Sequence, residues 1–384
     1  MTRNLLSQCL AGFLSVAMLA HTASAADPNQ IPAPPEVSAK AYLLVDHNSG
    51  RTLASLNENQ KLDPASITKL MTAYAVFRSI KDKRIGLEDP VVISETAWRT
   101  GGSRSFVDVG DRVPLSVLLQ GMIIQSGNDA SVALAEHVSG SESAFADLMN
   151  QYAKELGMRD THYRNATGLP DPEHYTTASD ILKVANAIIT EFPQYYRWYS
   201  QKEFTWNGIT QSNRNGLLWR DATVDGMKTG HTDTAGYCLV SSALRDGMRL
   251  VAVVLGTNSP SSRERDSATL LNYGYRFYET KKLFAAGKSL SEVRVWKGDQ
   301  QLAGLGANRD IWVTVPRGTA DQLKTAFTLP TRLIAPLDSK IELGKVRVTL
   351  ADQTVAEAGL YPIAPVAAGS LWQQARDTVL LWFE

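Results

Sequence analysis

Ser66 and Lys69 lie three residues apart in the stretch Asp63-Pro64-Ala65-Ser66-Ile67-Thr68-Lys69. A serine hydroxyl is a weak nucleophile until a neighbouring base takes its proton, and a lysine serves as that base only when burial or nearby cations hold its amine neutral. Acyl transfer suits such a pair, provided that N–H donors stand ready for the oxyanion. Average residue usage gives about one S-x-x-K by chance in a chain this long. The pair alone therefore leaves an ordinary helical turn with an exposed lysine open.

The stretch needs a helix start to bring the two side chains together. Asp63 suits the N-cap and Pro64 the first helical position, where a missing N–H costs nothing. Ile67, Leu70, Met71, Tyr74 and Phe77 follow at helical spacing and give the helix one buried face. Ser66 then sits among the free N–H groups at the positive end of the dipole, one turn from Lys69. Two further polar tripeptides stand far along the chain, Ser126-Gly127-Asn128 and Lys228-Thr229-Gly230. Each has a plain reading, the first as a helix cap and the second as a strand end, and it is their order after Ser66 that carries information.

Around them the pattern is α+β. Ala41–Asp46 and Arg51–Ser55 flank a His47-Asn48-Ser49-Gly50 turn and read as a hairpin. Helical patterns cover 114–125, 130–138, 143–156 and 178–190, after a polar, glycine-bearing segment from Thr100 to Asp111. Strand patterns follow at 224–229, 235–244 and 248–256, with Arg245-Asp246-Gly247 as a tight turn, and 266–278 reads as a closing helix. The expectation is an antiparallel sheet built from both ends of the segment 38–279, flanked by helices and interrupted by a helical insert. From 280 to 366 short β-rich segments (292–297, 310–315, 323–329, 345–350) suggest a small all-β domain without a catalytic motif.

The chain has 384 residues, enough for two domains, and its 39 basic residues balance 39 acidic ones, so no long-range field favours nucleic acid. The six histidines are scattered without metal-ligand spacing, so no metal site is expected. Residues 1–25 read as an export signal, with Arg3, an apolar run from Leu10 to Ala20 and Ala23-Ser24-Ala25 at the cleavage site; a proline-rich spacer, 26–37, follows. Cys9 leaves with the signal, and Cys238 stays alone in a strand-like run, where a buried, inert thiol is expected. In the last segment, 367–384, Leu371, Trp372, Ala375, Val379, Trp382 and Phe383 share a helical arc of about 120° while Gln373, Gln374, Asp377 and Glu384 lie opposite. That helix is too short to span a bilayer and suits an in-plane membrane contact.

Ser66-Ile67-Thr68-Lys69, Ser126-Gly127-Asn128 and Lys228-Thr229-Gly230-His231-Thr232 with Ala235-Gly236-Tyr237-Cys238 together resemble the low-molecular-mass penicillin-binding proteins of the serine D-alanyl-D-alanine carboxypeptidase type. The resemblance runs from about Ser38 to Glu384. It implies the serine β-lactamase/DD-peptidase fold, no cofactor, and export to the periplasmic face of a bacterial inner membrane. Carried over by residue, it makes Ser66 the nucleophile, Lys69 its base and Ser126 the proton relay to the leaving amine. Asn128 binds the substrate amide or holds Lys69, and Lys228 raises the positive potential that keeps Lys69 neutral. Lys228 also attracts the terminal carboxylate, Thr229 bonds it, Gly230 belongs to the substrate-binding set, and the backbone N–H groups of Ser66 and His231 form the oxyanion hole. Arg263, or its neighbour Arg265, binds the terminal carboxylate. The implied partners are a peptidoglycan stem peptide ending in D-Ala-D-Ala and β-lactams as acylating inhibitors, with a role in cell-wall biogenesis and cell shape. Rival readings are a DD-endopeptidase, a β-lactamase using Glu173 to activate water, a Ser-His-Asp enzyme using His231, and a non-catalytic wall-binding protein.

Overall fold

A computed structural model describes residues 31–383, so the export signal and the first part of the spacer lie outside the described residues. Five antiparallel strands form the central sheet, in the order Thr52–Leu56, Ala41–Asp46, Met248–Thr257, Gly236–Arg245, Val224–Thr232. The N-terminal hairpin thus joins three strands that arrive some 170 residues later, Ala41–Asp46 pairing with Met248–Thr257, so the sheet is built from both ends of the segment as expected. The Asp246-Gly247 turn has positive φ at both residues, 48° and 81°, which matches the twist of a two-residue hairpin. Val224–Thr232 is the outer strand of this sheet.

Helix Pro260–Phe277 packs on the sheet and starts six residues before the predicted boundary, because Ser259 caps it and Pro260 occupies its first turn. The insert carries helices Leu115–Ile124, Asn128–Ser139, Glu142–Glu155 and Ala178–Glu191 around the nucleophile helix, Lys69–Lys81. That central helix is buried nearly all round: Leu70, Met71, Tyr74, Val76 and Phe77 are at most 1% exposed. Phe77 stacks on Tyr195 and Tyr74 meets Tyr152 and Phe192 edge-on, so the helix is fixed by aromatic packing as well as by area.

After Phe277 a two-stranded ribbon (Tyr278–Phe284 with Ile311–Pro316) leads into a six-stranded sheet with its own core of Val295, Leu305, Val346 and Leu360. At the junction Thr280 donates to the buried Asp46 carboxylate at 2.8 Å. The terminal helix, Leu371–Leu380, opens with a Ser370/Gln373 capping box. Its polar face docks: Asp377 is 5% exposed and accepts the Lys297 backbone N–H at 2.7 Å. Leu371, Trp372 and, just beyond the helix, Trp382 and Phe383 are about four-fifths exposed, the reverse of what a terminal helix serving its own core would show. No helix among the described residues is long and apolar enough to cross a membrane.

Candidate active site

The nucleophile helix does not begin as expected. Pro64, not Asp63, holds the N-cap position, no side chain caps it, and the first turn, Ala65–Thr68, is a 3-10 turn. The consequence favours the chemistry, because residues i and i+3 eclipse in such a turn. Lys69 Nζ lies 2.9 Å from Ser66 Oγ. The same nitrogen lies 2.7 Å from Asn128 Oδ1 and 2.6 Å from the Thr167 carbonyl oxygen. A neutral amine has two N–H bonds and one lone pair. Asn128 and Thr167 take the two N–H groups, which leaves the lone pair for the Ser66 hydroxyl to donate to.

Lys69 is 1% exposed, and burial first, then the Arg214 cation, lowers its pKa from 10.5 to about 7, against opposing pulls from Asp129 and Glu142. Arg214, which carries no motif, is a cation that acts on Lys69. The Lys228 amine is itself driven well down, by burial and then by Lys69, Arg214 and Arg263. Two ammonium groups do not share so dry a site. Lys228 instead holds Ser126, with Nζ 2.9 Å from the Ser126 Oγ and 2.9 Å from the Thr229 carbonyl oxygen.

Three distant segments meet here for identifiable reasons. Asn128 donates to the Gly101 carbonyl and its backbone N–H to Ser103, while the fully buried Asp129 carboxylate accepts the Ser105 and Phe106 N–H groups. The predicted loop from Thr100 onward is thereby strapped to the Ser126-Gly127-Asn128 corner. Gly230 lets the outer strand approach the nucleophile turn: a Cβ there would stand 3.1 Å from the Pro64 oxygen and 3.2 Å from the Ala65 Cβ. Gly168, at φ +80°, sits against the Ala65 carbonyl, which a Cβ would strike. Behind the turn, His174 Nδ1 accepts from the Arg164 N–H, so its Nε2 carries the hydrogen and donates to Thr68 Oγ1 at 2.8 Å.

The resulting cleft, about 530 Å³, is lined by Ser66, Ser126, Asn128, Thr229, Gly230, His231 and Arg263 among the predicted residues. Arg263 is 8% exposed and donates to the Gly230 carbonyl, whereas Arg265 turns outward beside Asp266. Thr167, Leu169, Arg214 and Tyr237 line the cleft too. Arg214 and Thr167 belong to no recognisable motif, and only the fold brings them in. His231 stacks on Tyr237 at 3.9 Å, and among the described residues it is Lys69, not a histidine, that bonds Ser66 Oγ. Glu173 is two-thirds exposed beside Arg164 and does not line the cleft. Cys238 is buried, and burial pushes its thiol up to about 11, out of reach of ordinary reactivity. No cluster of metal-ligating side chains occurs among the described residues.

Comparison with known proteins agrees with this geometry. Residues 28–259 match the family model of peptidase S11, described as D-alanyl-D-alanine carboxypeptidase, and residues 278–369 match that of the penicillin-binding protein 5 C-terminal domain. The chain is 40% identical over 361 residues to the D-alanyl-D-alanine carboxypeptidase DacA of Escherichia coli K12, covering 92% of this chain and 90% of that protein. It is 41% identical over 377 residues to DacA of Haemophilus influenzae, covering 96% of each. The crystal structure of penicillin binding protein 5 from Haemophilus influenzae superposes with a TM-score of 0.83 at 42% identity, over 88% of this chain and 99% of that one. A helix-borne Ser-Lys pair, completed by two distant tripeptides and matched along nearly the whole chain, places this protein in the peptidase S11 family of serine D-alanyl-D-alanine carboxypeptidases.

Proposed function

We propose that Ser66 is the nucleophile that removes the terminal D-alanine from peptidoglycan stem pentapeptides, and that β-lactams acylate the same hydroxyl. The observation that carries this reading is the buried Lys69 amine, 2.9 Å from Ser66 Oγ and held by Asn128 Oδ1 and the Thr167 carbonyl, with a pKa lowered to about 7 so that a large neutral fraction can take the Ser66 proton. Lys69 accepts the Ser66 proton as Oγ bonds the penultimate D-alanine carbonyl carbon. The backbone N–H groups of Ser66 and His231 hold the oxyanion. Ser126, fixed by Lys228, passes its proton to the departing nitrogen and takes up the one held by Lys69, and D-alanine leaves with Lys69 neutral again. Water then attacks the Ser66 ester, with Lys69 taking its proton and returning it to Ser66 Oγ as the acyl bond breaks, which restores Ser66. Thr229 and the Arg263 guanidinium bind the substrate carboxylate, and Asn128 its amide. Mass spectrometry with a labelled penicillin tests the assignment: an adduct on Ser66 is expected, and an adduct that persists in Ser66→Ala overturns it. Release of D-alanine from a stem pentapeptide, lost in the same variant, tests the substrate.

The terminal segment 367–384 is read as an anchor to the periplasmic face of the inner membrane after export. Its support is the inverted helix, with Asp377 docked on the β-rich domain and Leu371, Trp372, Trp382 and Phe383 turned away. The mature chain is expected to sediment with vesicles of phosphatidylethanolamine and phosphatidylglycerol, and a chain ending at 369 is not. Equal sedimentation of the two refutes the anchor.

A further inference from the structure

The Lys69 lone pair is aimed by its acceptors, and one of them sits on a segment held from behind. Thr167 supplies that carbonyl. One residue earlier, the Ala166 carbonyl accepts the Thr72 hydroxyl at 2.8 Å, and the Ala166 N–H donates to Glu142 Oε1 at 2.9 Å. Glu142 opens the helix Glu142–Glu155, capped by Ser141, and does not line the cleft. A half-buried carboxylate that touches neither the nucleophile nor the cleft thus grips the strip of backbone on which the base rests.

We propose that Glu142 is a positioning residue for proton transfer at Ser66: its carboxylate fixes the Ala166–Thr167 segment whose carbonyl aims the Lys69 amine at Ser66 Oγ. The proposal rests on Lys69 being the base. Three elements present charge to Lys69, beside the Lys228 amine on the outer strand, which is itself driven well down. Arg214 arrives from the segment before helix Leu217–Arg220, Asp129 from helix Asn128–Ser139, and Glu142 from the helix that follows it. Burial and Arg214 pull the amine down, while Asp129 and Glu142 pull it up. A general base works best with its pKa near the operating pH, so this opposition sets the working range. Facing Glu142 itself are Glu136 and Lys69; burial raises its carboxyl, and the Ala166 N–H and Lys69 oppose the rise.

Asp129 cannot serve as the test, because its carboxylate also holds the Ser105 loop. Glu142 can, because the amide oxygen of a glutamine still accepts the Ala166 N–H while the charge is gone. The experiment measures the rate of Ser66 labelling by a fluorescent penicillin from pH 5 to 9 in the full mature chain. Glu142→Gln is expected to move the midpoint of the rising limb to lower pH by about half a unit, so that labelling at pH 6 becomes about two- to threefold faster than in the wild type. Glu142→Asp keeps the charge and shortens the reach, so its plateau falls several-fold while its midpoint stays nearer the wild type than that of Glu142→Gln. A Glu142→Gln profile that superimposes on the wild type, or moves to higher pH, overturns the proposal. Should Glu142→Gln fail to fold, a Glu142→Asp plateau equal to that of the wild type overturns it instead. Ser66→Ala, run alongside, separates the two readings: if it still labels, the nucleophile assignment has failed rather than the role of Glu142.

Discussion

The wild-type enzyme should acylate along a single rising limb of pH centred near 7, because burial and Arg214 bring Lys69 down from 10.5 to about 7. This displacement corresponds to about 5 kcal/mol of differential interaction between the two protonation states. In practical terms, about half of the amines are neutral at pH 7, against roughly one in three thousand for an unshifted lysine. Only about a tenth remain neutral at pH 6 and about a hundredth at pH 5. The rate of Ser66 labelling by a fluorescent penicillin, quenched at short times and read on a gel, should follow those fractions and level off above about pH 8. Lys69→Arg keeps a cation in place but cannot deprotonate, and should lose at least about a thousandfold in labelling rate. A wild-type rate flat from pH 5.5 to 8.5, a limb centred below pH 5, or a Lys69→Arg variant that labels at the wild-type rate would refute the reasoning.

Three other outcomes follow from the surroundings of the base. Gly168→Ala puts a Cβ against the Ala65 carbonyl at a φ of +80°, and should cost more than about 2 kcal/mol in denaturant unfolding and slow labelling at least about tenfold; an unchanged melt and rate would contradict the packing. His174 is neutral, with a pKa lowered by burial to about 4, so the unfolded chain binds the extra proton between pH 4 and 6.5. Stability from this group is complete above about 6.5 and is lost as pH falls through 4, a loss of about 3 kcal/mol that His174→Gln should lack. Parallel loss of stability on acidification in the two proteins would count against it. His231→Gly should leave acylation largely intact, since Lys69 supplies the base; complete loss of labelling with the fold preserved would restore a histidine mechanism.

Much of this was legible in the residues, because it depends on local rules. Periodicity located the strands 224–232, 236–245 and 248–257 to within a few residues, and the α+β arrangement followed from their position after a helical insert. Strands such as 302–306 and 353–362 escaped notice, being short or only partly buried and so without clean alternation. Ser66, Lys69, Ser126 and Lys228 stood out because three motifs in the right order are far rarer than any one of them.

Other features had no sequence signal, since each depends on which surfaces meet. Which of Arg263 and Arg265 lines the cleft follows from the phase of a helix that begins at Pro260: two residues turn it through about 200°, so one arginine enters the cleft and the other faces water. Arg214, Thr167 and Glu142 act on Lys69 from loops and a helix end with no motif, and the amine owes its lowered pKa first to burial that no spacing encodes. For the terminal helix the residues fixed two faces, one apolar and one polar. Tertiary structure decided which face the protein keeps, because the Asp377 carboxylate finds the Lys297 N–H on the β-rich domain and so turns the tryptophans outward.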